Sequence, residues 1–373
     1  MISESIQYPI RVLHVVTYMG RGGLETMIMN YYRHIDRNKV QFDFLVHRDF
    51  KADYDDEILA LGGKIYRLPR LVPWNYGYRK ALNLFFKSHS EYKIVHVHQD
   101  CLSSIILKAA KKNGVPIRIA HSHSSKQDKN LKLLVKLFYR RKIAKFSTEL
   151  FACGKEAGDW MFRGAKYQLI NNAIDSKLYS YNDTDRRRVR NDLGISDDTL
   201  LIGHVGRFNT VKNHSFLLDI FVEAKKTKKE AMLMLVGDGE LREKMENKAE
   251  ELGITESVIF TGVRSDVNDL MKAMDCFVFP SLYEGLPVTL IEAQATGLPC
   301  LVSENVSIEC DKTGLIEQVS LKEPINCWVE RILNKTNYTR LDMSKIIAKA
   351  GYDITVNAEL LQDFYLDKWK KEV

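Results

Sequence analysis

Hydrophobic and polar positions along the chain fall into two alternating rhythms. Short β-branched runs read as strands: Arg11–Thr17, Phe42–Val46, Lys64–Leu68, Ile94–His98 and Ile117–Ala120, the last closing the first series. Between them Leu24–His34 and the stretches 54–61, 76–89 and 102–112 read as helices. The second half repeats this grammar. Leu200–Val205, Met232–Val236, Val258–Phe260, Cys276–Phe279 and Cys300–Val302 are predicted strands, with helices over Phe216–Lys226, Glu240–Leu252 and Pro287–Thr296. Strands separated by helices mean βαβ units and a parallel sheet. The pattern therefore predicts an α/β protein of two doubly wound, Rossmann-like halves facing across a cleft. The polar stretch NNAIDSKLYSYNDTD, followed by Arg186-Arg187-Arg188, marks the boundary near 171–185. The expected domains are 1–175 and 176–355, with 356–373 a helix crossing back to the first. Ligands are expected at the carboxyl ends of the strands, one per half, a geometry suited to group transfer.

Composition narrows the class. The chain has 373 residues, 45% hydrophobic and 28% charged, which excludes a disordered or collagen-like protein. The net charge of +7 permits an anionic ligand or membrane surface without demanding nucleic acid. No basic stripe with interleaved stacking aromatics follows the expected cleft, so nucleic acid is not an expected partner. Six cysteines stand at 101, 153, 276, 300, 310 and 327, none in C-x-x-C spacing; buried free thiols in a reducing compartment are expected. The opening MISESIQYPIRVLHVV does not read as a signal peptide, and no apolar run approaches the length of a membrane span. The expected location is the cytoplasm, free or docked on the inner face of the cell membrane.

Candidate chemistry concentrates in the second half. Arg207 and Lys212 lie on the loop leaving a strand's carboxyl end, where two cations can converge on one diphosphate; the alternative is a solvated surface pair. Glu284-Gly285-Leu286-Pro287 leads from another strand into a helix. Gly285 frees the backbone, Pro287 fits the helix's first turn, and the helix N-terminus offers unpaired N–H groups to a phosphate. Glu292 lies a turn inside, so two carboxylates flank the phosphate position and can accept hydrogen bonds from sugar hydroxyls. In the first half, Gly22-Gly23 opens a helix after the first strand. GRGGLET is not a dinucleotide fingerprint, because Glu25 stands where the third glycine belongs.

These motifs, in order, resemble a known family. E-x7-E in EGLPVTLIEAQATGLPCLVS, HVGRFNTVKNH, LVGDGELR and FTGVRSDV are together similar to retaining glycosyltransferases of the GT-B fold, the family-four or group 1 type. Bacterial capsule and exopolysaccharide enzymes are the most similar among them. The resemblance runs from Gly20 to about residue 305. It implies that Arg207 and Lys212 neutralise the donor diphosphate, which removes the need for a metal. It implies that Glu284 contacts the donor sugar and Glu292 the ribose hydroxyls. Gly285 and Leu286 would meet sugar and phosphates, and Val263 would border the base. Gly22 and Gly23 would cover the phosphates or the acceptor entrance, and Asp238 carries no catalytic role. A histidine at the end of the strand at 117–120 would approach the reacting carbon. His121 and His123 are the candidates, and His121 is preferred because the strand reads as ending just before it. His96 and His98 share a face, but spacing places no third ligand, so no metal site and no cofactor are expected. Asn171-Asn172 replaces the family's Asn-Gly turn, with asparagine expected to hold the left-handed conformation.

The expected substrates are a nucleotide-diphosphate sugar, with UDP the expected nucleotide, and a hydroxyl on a glycan or lipid-linked acceptor. Residues 126–145, rich in lysine and arginine, place Leu131, Leu134, Val135 and Phe138 at helical spacing. They read either as a surface for an anionic membrane or as an ordinary helix with a solvated face. Two other functions stay open. One is a GT-B relative with other chemistry, such as an epimerase or a phosphorylase; the other is a non-catalytic nucleotide-sugar-binding scaffold.

Overall fold

A computed structural model describes residues 9–123, 132–335 and 338–372. In chain order the first elements are β1 (Ile10–Val15), α1 (Gly23–His34), β2 (Val40–Val46), α2 (Asp55–Ala60), β3 (Ile65–Arg67), α3 (Tyr76–Ser88), β4 (Ile94–Val97), α4 (Ser103–Lys112) and β5 (Ile117–Ser122). Then come α5 (Lys132–Arg140), α6 (Ile143–Phe146), β6 (Glu149–Ala152), α7 (Lys155–Phe162) and β7 (Gln168–Leu169). The second series is α8 (Asp183–Asp192), β8 (Leu201–Val205), α9 (His214–Thr227), β9 (Met232–Val236), α10 (Arg242–Glu251), β10 (Val258–Gly262), α11 (Val267–Ala273) and β11 (Cys276–Phe279). It ends with α12 (Val288–Ala295), β12 (Cys300–Ser303), β13 (Ile316–Val319), α13 (Ile325–Lys335), α14 (Ser344–Ile347) and α15 (Ile354–Glu372).

The chain divides into two compact units, residues 1–173 with 354–373, and residues 174–353. Unit 1 holds a parallel sheet of order β3-β2-β1-β4-β5-β6-β7, and unit 2 a parallel sheet of order β10-β9-β8-β11-β12-β13. In both, strand order reverses beside the first strand of the unit, the switch point at which open α/β sheets bind ligands. Ile117–Ala120 does not close the first series: β6 and β7 extend it. They escaped the pattern because β6 is four residues long and β7 is an edge strand of two. IEQV of β13 carries two polar residues on an edge and gave no apolar run.

Each sheet is covered on both faces, so central strands are buried along their length; all seven residues of β2 are buried, Asp43 among them paired with Arg11 of β1. Alternate residues of β1 feed different cores. Val12 packs with Phe42, Phe44 and Tyr365 of α15, while Leu13 packs with Leu82, Phe86 and Ile106 from α3 and α4. Unit 2 repeats the arrangement, with Leu217, Phe221 and Trp328 on one face and Leu290, Ile291 and Met271 on the other. Each such fully buried side chain contributes about 1.5–3 kcal/mol.

All six cysteines are free, and all but Cys327 are buried. Among the described residues no helix is long and apolar enough to cross a membrane. At 171–175 neither asparagine is left-handed; the turn closes through the Ala173 N–H donating to the Asn171 carbonyl at 2.8 Å.

Candidate active site

The loops leaving β10, β9, β8 and β11, four neighbouring strands of unit 2, are tied together by backbone. Gly206 N–H donates to the Val236 carbonyl, Phe208 N–H to Asp238, and Gly237 N–H to Gly262, at 2.9–3.0 Å. Gly237 is required here: its φ is +136°, and a Cβ would lie 2.2 Å from the Gly206 oxygen. The stem of Lys212 lies against Gly206, and Lys212 Nζ meets Glu284 Oε1 at 2.7 Å. Both side chains are largely buried, and the ammonium also stands 4.3 Å from the centre of the Phe279 ring. Arg207 behaves differently. Its side chain is 62% exposed and pairs with Glu240 at 3.2 Å, so in this structure the two cations are held by different acids. An exposed pair of this kind is weak and readily exchanged for a ligand anion.

Pro287 is the residue before α12 rather than part of it, with an extended ψ of 122°, and the N–H groups of the first helical turn follow it. Leu286 packs on the core beneath, and Gly285 is half-buried. Glu292, one turn in, is buried; Tyr179 Oη donates to its Oε1 at 2.8 Å. Burial raises its carboxyl from 4.5 to about 7, against the smaller opposing pull of the Tyr179 hydroxyl. Tyr179 gave no signal in the sequence, because it lies 113 residues from its partner. Glu240 was equally unmarked. Val263 is exposed on the loop after β10, and Asp238 accepts from the Gly239 N–H at 2.8 Å.

In unit 1, Gly22 is the residue before α1, and both Gly22 and Gly23 are exposed. A Cβ on Gly23 would meet nothing within 4 Å, so the fold itself does not require glycine there. Five histidines gather on three neighbouring strands: His14 on β1, His96 on β4 with His98 just past it, and His121 on β5 with His123 just past it. The reason for preferring His121 does not hold, because β5 runs on to Ser122 and His123 is the first residue past it. His121 is 3% exposed and its Nδ1 meets His96 Nε2 at 3.2 Å, whereas His123 is half-buried. Desolvation by burial lowers both imidazoles, His123 to about 3. The missing third metal ligand is also supplied. His14, His96 and His98 form one group of nitrogens within 4.8 Å, and His98, His121 and His123 another.

Residues 126–131 of the basic stretch, including Leu131, lie outside the described residues. In α5, Leu134 and Phe138 do not pack inward: they are 71% and 54% exposed. Trp74 in the loop before α3 and Tyr76, the first residue of α3, are 75% and 79% exposed. That loop is held to α5 by Arg79, whose Nη2 donates to the Pro73 carbonyl at 2.6 Å and to Tyr139 Oη at 3.1 Å. Lys142 Nζ lies 3.6 Å from the centre of the Phe138 ring, and Arg70, Lys80, Arg141 and Lys145 are exposed.

Two doubly wound units with this site define the GT-B class of glycosyltransferase. Solved structures of that fold overlay the whole chain. Anabaena HepE in complex with UDP gives a TM-score of 0.78 at 16% identity, covering 96% of this chain and 100% of its own. WaaG, involved in lipopolysaccharide biosynthesis, gives 0.60 at 17%, covering 94% and 95%. Residues 21–178 match the glycosyltransferase family 4 domain and residues 185–335 the glycosyl transferases group 1 domain; the chain belongs to this family. EpsF of Bacillus subtilis, itself named as a glycosyltransferase, is 39% identical over 368 residues, covering 95% of this chain and 96% of its own. An Escherichia coli UDP-Gal:α-D-GlcNAc-diphosphoundecaprenol α-1,3-galactosyltransferase is 27% identical over 297 residues, covering 74% and 76%. The capsular polysaccharide biosynthesis glycosyltransferase CapH of Staphylococcus aureus is 24% identical over 371 residues, covering 96% and 99%.

Proposed function

We propose that the protein transfers a hexose-type sugar, with retention at the anomeric carbon, from a nucleotide diphosphate to a hydroxyl of a glycan or lipid-linked acceptor in polysaccharide synthesis. UDP is the proposed nucleotide. The observation that carries this is the bracketing of the α12 N-terminus by the Lys212–Glu284 pair, at 2.7 Å, and the buried Glu292. Helix N–H groups and Lys212 suit a diphosphate, Glu284 a sugar hydroxyl, and Glu292 the paired hydroxyls of a ribose. The likeness to the UDP-Gal:α-D-GlcNAc-diphosphoundecaprenol galactosyltransferase and to HepE in complex with UDP supports UDP and a lipid-linked acceptor.

In the proposed reaction the acceptor oxygen attacks the anomeric carbon from the face the phosphate leaves. The carbon–oxygen bond to the β-phosphate breaks, and the acceptor's proton passes to the departing phosphate oxygen. Arg207, released from Glu240, and Lys212 stabilise the charge growing on the diphosphate, which is the work a metal does elsewhere. Unit 1 is the acceptor half, with Gly22-Gly23 as an open loop and His121 or His123 as its candidate histidine; exposure favours His123. The aromatic and basic surface of Trp74, Tyr76, Leu134 and Phe138 suits the interface of an anionic membrane on which a lipid-linked acceptor resides.

Calorimetric titration with UDP, GDP, ADP and a panel of UDP-sugars, in the presence of chelator, tests this. Micromolar binding of UDP, lost in Glu292→Ala and in Arg207→Ala, is expected. A folded protein that binds no nucleotide refutes the reading. Binding followed by isomerised sugar in the absence of acceptor would indicate the epimerase instead.

A further inference from the structure

We infer that unit 1 contains a transition-metal site of three imidazoles, His98, His121 and His123, suited to a borderline divalent ion such as Zn2+. One ring nitrogen from each lies within 4.8 Å of the others, the span over which a single ion can draw three ligands together. His98 and His121 are buried and His123 is half-buried, which leaves a route for the ion to enter.

The surrounding hydrogen bonds orient two of the three ligands as metal-bound imidazoles require, His121 on His96 and His98 on His14. His121 Nδ1 meets His96 Nε2 at 3.2 Å, and His96 Nδ1 meets Tyr365 Oη at 2.7 Å. With His96 Nδ1–H donating to Tyr365 and His121 Nδ1–H donating to His96, the lone pair is left on His121 Nε2. That atom is buried and has no partner. His98 Nε2 meets His14 Nδ1 at 3.1 Å, and a proton on His98 Nε2 leaves its lone pair on Nδ1, which now faces His123 Nε2 at 2.9 Å. His123 Nδ1 is a second buried nitrogen without a partner. Two ligands thus carry an orphaned nitrogen, and two outer histidines orient the set.

The alternative group of His14, His96 and His98 shares His98 and fits less well, since both nitrogens of His96 are already engaged while His121 and His123 each keep a buried nitrogen without a partner. Three neutral nitrogens suit zinc, copper or nickel rather than magnesium or calcium, which prefer oxygen. The fourth position is open, and with no carboxylate in the set the expected fourth ligand is an anion such as hydroxide. His121 and His123 are shared with the reading proposed above, but ion uptake is read by metal binding and that reading by nucleotide binding at Arg207 and Glu292, so failure of one is distinguishable from failure of the other.

The test uses full-length, tag-free protein stripped with chelator and dialysed. Zn2+ is titrated calorimetrically and Co2+ by visible absorption, whose intensity reports low coordination number. One equivalent of Zn2+ is expected, with intense Co2+ bands. His98→Gln and His123→Gln should each weaken binding by at least the roughly 10–100-fold that loss of a supporting group costs. His34→Gln, on the exposed face of α1, should leave it unchanged. His123 is half-buried, so His123→Gln remains informative where His98→Gln fails to fold by circular dichroism. No uptake by folded protein, as for a water-filled pocket, or uptake indifferent to His123→Gln, overturns the inference. Greater loss in His14→Gln than in His123→Gln overturns the choice of ligands.

Discussion

Replacing Glu292 by glutamine removes a buried charge while keeping an oxygen for the Tyr179 hydroxyl. In the folded protein the carboxyl loses its proton at about 7, against 4.5 ordinarily. The unfolded chain therefore releases a proton that the folded chain retains between about pH 4.5 and 7. Stability falls as pH rises through that window and levels off above it. The rise corresponds to about 3 kcal/mol in full. At pH 5 only about 1 kcal/mol of it has developed. Glu292→Gln, neutral at every pH, should therefore exceed the parent in stability by about 3 kcal/mol at pH 8 and by only about 1 kcal/mol near pH 5. Urea denaturation of both proteins at the two pH values, with both units fitted, measures this. The same variant should lose most of its affinity for UDP, because the amide has a single acceptor oxygen, taken by Tyr179, and its NH2 can only donate. A stability difference that is equal at pH 5 and pH 8 would refute the buried, proton-retaining carboxyl.

Tyr179→Phe removes the hydrogen bond that lowers the Glu292 carboxyl, so the pH at which UDP affinity half-develops should move upward from about 7; calorimetry from pH 6 to 9 reads it, and an unmoved midpoint excludes the contact. Arg207→Ala should change stability by less than about 0.5 kcal/mol, since the side chain is exposed, yet lower turnover by about 100- to 1,000-fold if it acts as a charge-stabilising donor. Thermal melts and single-turnover assays separate the two effects. Leu134→Asp with Phe138→Asp should leave melting unchanged and lower co-sedimentation with anionic vesicles by about 100-fold, given about 1.5–3 kcal/mol for each apolar side chain withdrawn from the interface.

The alternation of strands and helices was legible because it is a local property. VQFDFLV and CFVF are buried on both faces, and a parallel sheet covered by helices needs such runs. Arg207, Lys212, Glu284 and Glu292 were legible for a related reason, standing in motifs at loops and helix starts whose chemistry can be read a few residues at a time. Where the local signal was thin the reading failed. β7 has two residues, β13 is half polar, and the end of β5 was placed two residues early, which turned attention from His123 to His121. Leu134 and Phe138 have helical spacing, but periodicity cannot say whether such a stripe meets a sheet or solvent.

What the chain alone dictated, then, is the succession of elements, the two-fold repetition of a doubly wound half and the kind of chemistry carried at each strand end. What only the tertiary structure decided is which of those ends meet. Lys212 finds Glu284 across 72 residues and Tyr179 finds Glu292 across 113, because β8 lies beside β11 and α12 packs over both. His14, His98 and His123 form one hydrogen-bonded chain only because β1, β4 and β5 are neighbours. Strand order and register are set by burial summed over the whole sheet, and no short stretch of sequence contains that sum.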